Sequence, residues 1–254
     1  MSNKESTLST VTVALVLCIV CSVVVSTAAV VLKPAQVANK EKDFKRNILA
    51  AAGMLEEGVS IEKQFERVET RLVDLSTGKF TDQYDPDSYD QRKVSKDPKF
   101  SSALSKEQDI AKIGRRVDVA EIYLINNGSG LDKVILPVKG YGLWSTLYGF
   151  LALESDLNTV AGLGFYEHGE TPGLGGEVDN PKWKGLWIGK EIYSAGGDVE
   201  ISVIKGTAPA DSKHQIDGLS GATLTSKGVH NLVQFWMGQE GYGSFLNNLK
   251  QGEA

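Results

Sequence analysis

The chain has 254 residues, is 41% hydrophobic and carries a net charge of −5, enough for one large domain or two small ones around a sizeable core. Its 27 Lys and Arg are spread among 32 Asp and Glu, which argues against nucleic acid as a partner, because phosphate-backbone binding needs a basic patch. The two cysteines, Cys18 and Cys21, both lie in an apolar run, so the rest of the chain can build no disulfide framework, zinc site or iron–sulfur cluster from its own thiolates.

That run, Val11 to Leu32, has 22 residues without a charge. At about 1.5 Å per residue it reaches roughly 33 Å, enough to cross a bilayer core. A cleaved signal peptide is the competing reading, with Ser26-Thr27-Ala28-Ala29 as its cleavage site. The apolar run continues through Val30, Val31 and Leu32, which favours an uncleaved anchor. This divides the chain into a short tail (1–10), a transmembrane helix (11–32) and a soluble domain (33–254). Few positive charges precede the helix (Lys4 and the terminal amine) and more follow it (Lys33, Lys40, Lys42, Lys45, Arg46). Taken alone, that count puts the large domain in the cytoplasm, but the rule has little force for long translocated domains.

Beyond the anchor, Val37 to Leu55 is expected to be a second helix, weakened by Gly53 and stopped by Gly58. Thr81 to Ser102, punctuated by Pro86 and Pro98, is expected to be an exposed loop, and Lys106 to Ile113 a short helix. Val117 to Ile125 and Lys133 to Val138 form β-rich runs around Asn126-Asn127-Gly128-Ser129-Gly130, a strong hairpin signal. That turn also explains the Asn127-Gly128-Ser129 sequon. Tyr148 to Glu154, Val160 to Tyr166 and Val199 to Val203 add short strands. Strands with helices at both ends point to an α+β domain with a largely antiparallel sheet.

Three glycine-bearing segments compete for a site: Lys139 to Ser145, His168 to Gly176, and Asp217 to Ser226. None is a P-loop or a dinucleotide fingerprint. The first two, taken singly, are ordinary tight turns with Trp144 in the core. His168, His214 and His230 are too scattered for a metal triad, and no G-x-S-x-G elbow supports a hydrolase. The third segment, Asp217-Gly218-Leu219-Ser220-Gly221-Ala222-Thr223-Leu224-Thr225-Ser226, opens onto Val229, Leu232, Val233 and Trp236, the i, i+3, i+4, i+7 spacing of a buried helical face. The amides of a helix start favour a phosphate. A single hydroxyl there is more often only an N-cap.

The string Ser220-Gly221-Ala222-Thr223-Leu224-Thr225 resembles the flavinylation motif of the covalent FMN-binding domain family. With the anchor, Lys139 to Ser145, His168 to Gly176 and Phe235 to Gly238, nearly the whole chain resembles the C subunits of Na⁺-translocating NADH:quinone oxidoreductases. That resemblance implies FMN joined by a phosphoester to Thr225. Ser220, Gly221, Ala222, Thr223 and Leu224 would line its phosphate and ribityl chain. Trp144 and Ser145 would form one wall of the flavin site, and Glu170, Thr171, Leu174, Gly175 and Gly176 the other. It implies no catalytic residue and no metal in this chain, which would relay electrons within a sodium-pumping complex. Implied partners are the other membrane subunits, a flavin transferase that uses FAD and supplies the activation of Thr225, and the bilayer around residues 11–32. The expected location is the bacterial inner membrane, single-pass, with the flavin domain periplasmic because the transferase acts there. The equivalent subunit of an ion-translocating ferredoxin:NAD⁺ oxidoreductase, or a flavin-binding sensor, are the alternatives.

Overall fold

The structure, a computed structural model, describes residues 7–128 and 130–254; Lys4, most of the expected N-terminal tail and Ser129 of the hairpin lie outside the described residues. The apolar run belongs to α1 (Thr7–Ala51), one helix of 45 residues that continues past Pro34. There is thus no separate helix over Val37 to Leu55. Pro34 removes a single ladder bond, and the helix continues on both sides of it. Gly53, not Gly58, ends it. At φ +68° Gly53 is left-handed, its N–H donates to Ala50 O (3.1 Å), and the Met54 N–H donates to Leu49 O (2.9 Å). This is a Schellman stop, which satisfies two of the orphaned carbonyls of the last turn. The compact domain starts at Lys45, and Ile48 and Leu49 in the last turns of α1 are fully buried in it.

After α2 (Ile61–Phe65), capped by the Ser60 hydroxyl, come β1 (Val68–Asp74) and β2 (Lys79–Phe80). The stretch expected as a loop holds a 3₁₀ turn at Pro86–Ser88, α3 (Gln91–Val94) and the start of β3 (Ser101–Ala103). Asp85 and Asp90 cap its two helical turns, so local side-chain bonds organise a segment whose composition suggested none. No helix forms over Lys106 to Ile113. There the Asp109 carboxylate accepts the Ile113 N–H (2.7 Å) and the Gly114 N–H (2.8 Å), and Lys112 sits at φ +54°.

The remaining elements are β4 (Arg115–Val117), β5 (Val119–Asn127), β6 (Gly130–Tyr141), β7 (Thr146–Glu154), β8 (Val160–Glu167), a 3₁₀ turn at Gly175–Asp179, α4 (Pro181–Gly185), β9 (Ser202–Val203), β10 (Gln215–Ile216), α5 (Thr223–Met237) and α6 (Gly243–Gln251). The main sheet runs β2-β1-β5-β6-β7-β8, every neighbour antiparallel, with the expected hairpin closing on the pair Asn127 and Gly130.

Both faces of this sheet are covered, so its strands lack a simple polar alternation. On one face Ile122, Leu136, Val138 and Leu151 join Val229, Leu232, Trp236 and Phe245 of α5 and α6 in a single apolar cluster. On the other lie Tyr123 and Phe150, edge-to-face at 6.0 Å, with Phe65 of α2 at 6.4 Å from Tyr123. Pairing of β6 with β5 stops at Ile135, which leaves carbonyls beyond it without a strand partner. Pro137 O accepts the Tyr242 hydroxyl (2.8 Å) and Lys139 O accepts the Trp236 indole N–H (2.7 Å). Buried carbonyls must be paired, and here aromatic side chains from the C-terminal helices replace a strand. That exchange fixes α5 against the end of β6, from which the β6–β7 loop projects.

Candidate functional site

The three segments singled out in the sequence converge. The β6–β7 loop turns at Gly142, whose N–H donates to Ser145 O (2.8 Å), and presents the amides of Leu143, Trp144 and Ser145 in succession. All three donate to Glu170 Oε1, at 3.1, 2.9 and 3.2 Å. Its other oxygen, Oε2, accepts the Thr225 hydroxyl at 2.7 Å. Glu170 is 5% exposed and Thr225 fully buried, so one carboxylate joins all three segments in the interior.

Burial alone pushes the Glu170 carboxyl up. The hydrogen bonds from Thr225 and from the Trp144, Ser145 and Leu143 amides outweigh it and hold the group below the usual carboxylate range. It is therefore a stable anion beside a hydroxyl. His168 supports this arrangement: its Nδ1 accepts the Glu170 N–H (3.2 Å), and its Nε2 lies 2.8 Å from Asp179 Oδ2. Accepting at Nδ1 leaves the proton on Nε2, the tautomer that donates to Asp179.

Glycines permit the close approach. A Cβ on Gly175 would lie 2.5 Å from Thr225 Oγ1, and one on Gly142 would lie 2.6 Å from Glu170 Oε1. Gly228, not foreseen as part of the site, is another. It is buried in α5, where a Cβ would meet Tyr141 O at 2.5 Å and Gly142 Cα at 2.9 Å, so only glycine lets the helix lie against the loop. An isolated glycine inside an amphipathic helix was the available signal.

The start of α5 is open. Its N-cap position is Ala222, no side chain caps it, and among the described residues the amides of Thr223, Leu224 and Thr225 have no acceptor. The hydroxyls of this segment thus do not act as caps. The Ser226 hydroxyl accepts the Leu219 N–H (2.8 Å) and donates to Ala222 O (3.1 Å), bracing the turn ahead of the helix. Gly221 takes φ +72° in that turn. Asp217 is structural: its carbonyl accepts the Trp183 indole N–H (2.8 Å) and its carboxylate the Ala208 N–H (2.8 Å).

Around this helix start, Ser220, Thr223 and Thr171 are exposed, Ala222 and Gly175 buried, and Ser145 and Gly176 half-buried. Three apolar side chains face solvent: Trp144 at 67% exposure, Leu224 at 58% and Leu174 at 46%. Trp144 is therefore not a core residue, as the tight-turn reading of its loop required. Exposed aromatic and aliphatic groups beside unpaired helix amides and a buried hydroxyl define a site for a flat apolar ring that carries a phosphate.

Residues 142–238 match the FMN-binding domain family, a match that takes in the second and third segments whole and the first from Gly142 onward. Over its full length the chain is 56% identical to the C subunit of the Na⁺-translocating NADH-quinone reductase of Pseudomonas aeruginosa, covering 100% of both chains. It is 48% identical to the protein of the same name from Yersinia pestis, over 98% of this chain and 96% of that one. The crystal structure of Shewanella oneidensis NqrC superposes with a TM-score of 0.79 at 38% identity, covering 84% of this chain and 99% of that one. The fold and site thus define a flavoprotein domain on an apolar N-terminal helix. The chain belongs to the family of C subunits of Na⁺-translocating NADH-quinone reductases.

Proposed function

We propose that this chain carries FMN through a phosphoester to Thr225 Oγ1 and relays electrons through it within a sodium-pumping NADH:quinone reductase. The observation that carries the reading is the open first turn of α5. It combines three unpaired amides with a threonine hydroxyl next to exposed Trp144, Leu174 and Leu224. Those amides and the positive end of the helix suit the phosphate. Ser220, Gly221, Ala222, Thr223 and Leu224 would hold the phosphate and ribityl chain. Trp144 and Ser145 on one side, and Glu170, Thr171, Leu174, Gly175 and Gly176 on the other, would bound the ring. Bound there, FMN would supply the redox chemistry, while the protein supplies position and environment.

A tether suits a relay, since the carrier then never dissociates and its local concentration does not depend on free FMN. The other membrane subunits of the complex are the electron partners, and a flavin transferase using FAD is the maturation partner. Residues 11–32 of α1 cross the inner membrane, residues 1–10 form a short cytoplasmic tail, and residues 33–254 form the flavin-bearing part on the periplasmic side. The test is mass spectrometry of the intact chain after coexpression with the transferase. A mass increase of one FMN ester is expected, lost in Thr225→Ala and kept in Thr223→Ala. An unmodified wild-type chain, or a modified Thr225→Ala, overturns the reading.

A further inference from the structure

The Thr225 hydroxyl has a fixed partner. Thr225 Oγ1 donates to Glu170 Oε2 at 2.7 Å, and the opposite oxygen of that carboxylate is fixed by three successive backbone amides. A carboxylate held at one oxygen has little freedom at the other, so Oε2 stays on the Thr225 proton. The turn ahead of α5 does not depend on this bond: Ser226, not Thr225, braces it, and the amides of α5 make no use of Glu170.

We propose that Glu170 is the acceptor chain's own catalytic residue for flavin attachment, orienting the Thr225 hydroxyl and taking its proton. The inference rests on the reading of Thr225 as the attachment residue. The donor is a flavin dinucleotide containing a pyrophosphate. Thr225 Oγ1 forms a bond to the flavin-side phosphorus, and the P–O bond to the adenylate phosphate breaks with its electron pair leaving on AMP. The hydroxyl proton passes to Glu170 Oε2 and from there to the departing phosphate or to water. Phosphoryl transfer needs little basicity from such a group, because positioning dominates; kinases use a catalytic-loop Asp on the substrate hydroxyl in the same way. A Cβ on Gly175 would lie 2.5 Å from Oγ1, so only glycine keeps that side of the hydroxyl clear for the phosphorus.

The experiment follows flavinylation of the full-length chain in detergent by purified transferase with FAD, reading ester formation by intact mass. Glu170→Gln keeps an oxygen for the three amides and removes the proton acceptor. Its kcat is expected to fall by about 10²- to 10⁴-fold, the usual range for a general base, with the KM for the acceptor chain changed by less than about threefold. Glu170→Asp and Glu170→Asn repeat the comparison one methylene shorter, so the test survives if Glu170→Gln does not fold. The Asp variant is expected to exceed the Asn variant by at least about tenfold in kcat. Equal rates within either pair (wild type and Gln, or Asp and Asn), with the ester on Thr225, overturn the role of Glu170 alone. An ester found elsewhere, or on Thr225→Ala, overturns the Thr225 reading instead.

Discussion

Replacing Gly175 with alanine tests how tightly the three segments are joined. The new Cβ would lie 2.5 Å from Thr225 Oγ1, 2.6 Å from Glu170 Oε2 and 3.1 Å from Glu170 Cβ. Carbon–oxygen contacts settle near 3.3 Å, so both oxygens must retreat by roughly 0.7–0.8 Å. The backbone of Gly175 is not left-handed, so alanine is acceptable there in conformation and the whole penalty is steric. Overpacking of this kind costs about 1–3 kcal/mol, and losing a hydrogen bond to a charged group about 1.5–3 kcal/mol. The two overlap, which gives an expected loss of about 2–4 kcal/mol. Urea unfolding of the unmodified full-length chain, followed by tryptophan fluorescence, measures it. Gly185→Ala is the control: it lies in α4, a Cβ there meets nothing within 4 Å, and its effect should run from neutral to a gain of about 1 kcal/mol. In a Thr225→Ala background the Gly175→Ala penalty should shrink by about 1 kcal/mol or more, because one of the two crowded oxygens is gone. A Gly175→Ala chain as stable as wild type would refute the close packing of loop, carboxylate and hydroxyl.

Gly228→Ala should destabilise by about 1–3 kcal/mol even though alanine is the better helix former by about 1 kcal/mol, since backbone atoms of Tyr141 and Gly142 cannot rotate away. A melting temperature equal to or above that of wild type would count against it. Glu121, half-buried in β5 and accepting the Tyr123 hydroxyl at 2.7 Å, has its carboxyl pushed by desolvation from 4.5 up to about 7, against the lowering effect of that hydrogen bond. The folded state therefore holds this proton more tightly than the unfolded chain, and stability falls as pH rises from about 4.5 to about 7. The rise is worth about 3 kcal/mol. Glu121→Gln should thus gain about 2–3 kcal/mol relative to wild type between pH 5 and pH 8, read as the change in the difference of their urea unfolding energies.

Features carried by short-range patterns were legible in the sequence. The Asn-Gly hairpin, the helix behind Thr225 and the apolar run each rest on residues within a few positions of one another. Misreadings arose where a side chain or a turn competed locally. Asp109 took the Ile113 amide that a helix over Lys106 to Ile113 would have used otherwise, together with the Gly114 amide just beyond it, and Gly53 completed a helix stop before Gly58 was reached. β1 went unread because Val-Glu-Thr-Arg-Leu-Val-Asp mixes charges into a strand that becomes apolar only through its neighbours. At the site, the threonine string was legible as a motif. The carboxylate on it was not, since Glu170 lies 55 residues earlier and only the tertiary fold brings it there.

On the proposed attachment at Thr225, that separation would order the chain's maturation. Glu170 follows the last strand of the sheet and Thr225 opens the helix that docks on β6, so the two meet only after β8 has paired with β7 and α5 has seated. An unfolded chain offers the same ten-residue string without a carboxylate to hold its hydroxyl. Modification at Thr225, were it to depend on this contact as proposed, would discriminate between folded and misfolded copies, and a bound cofactor would then certify the fold beneath it. A chain carrying flavin there would thereby have passed a check that needs no separate inspector.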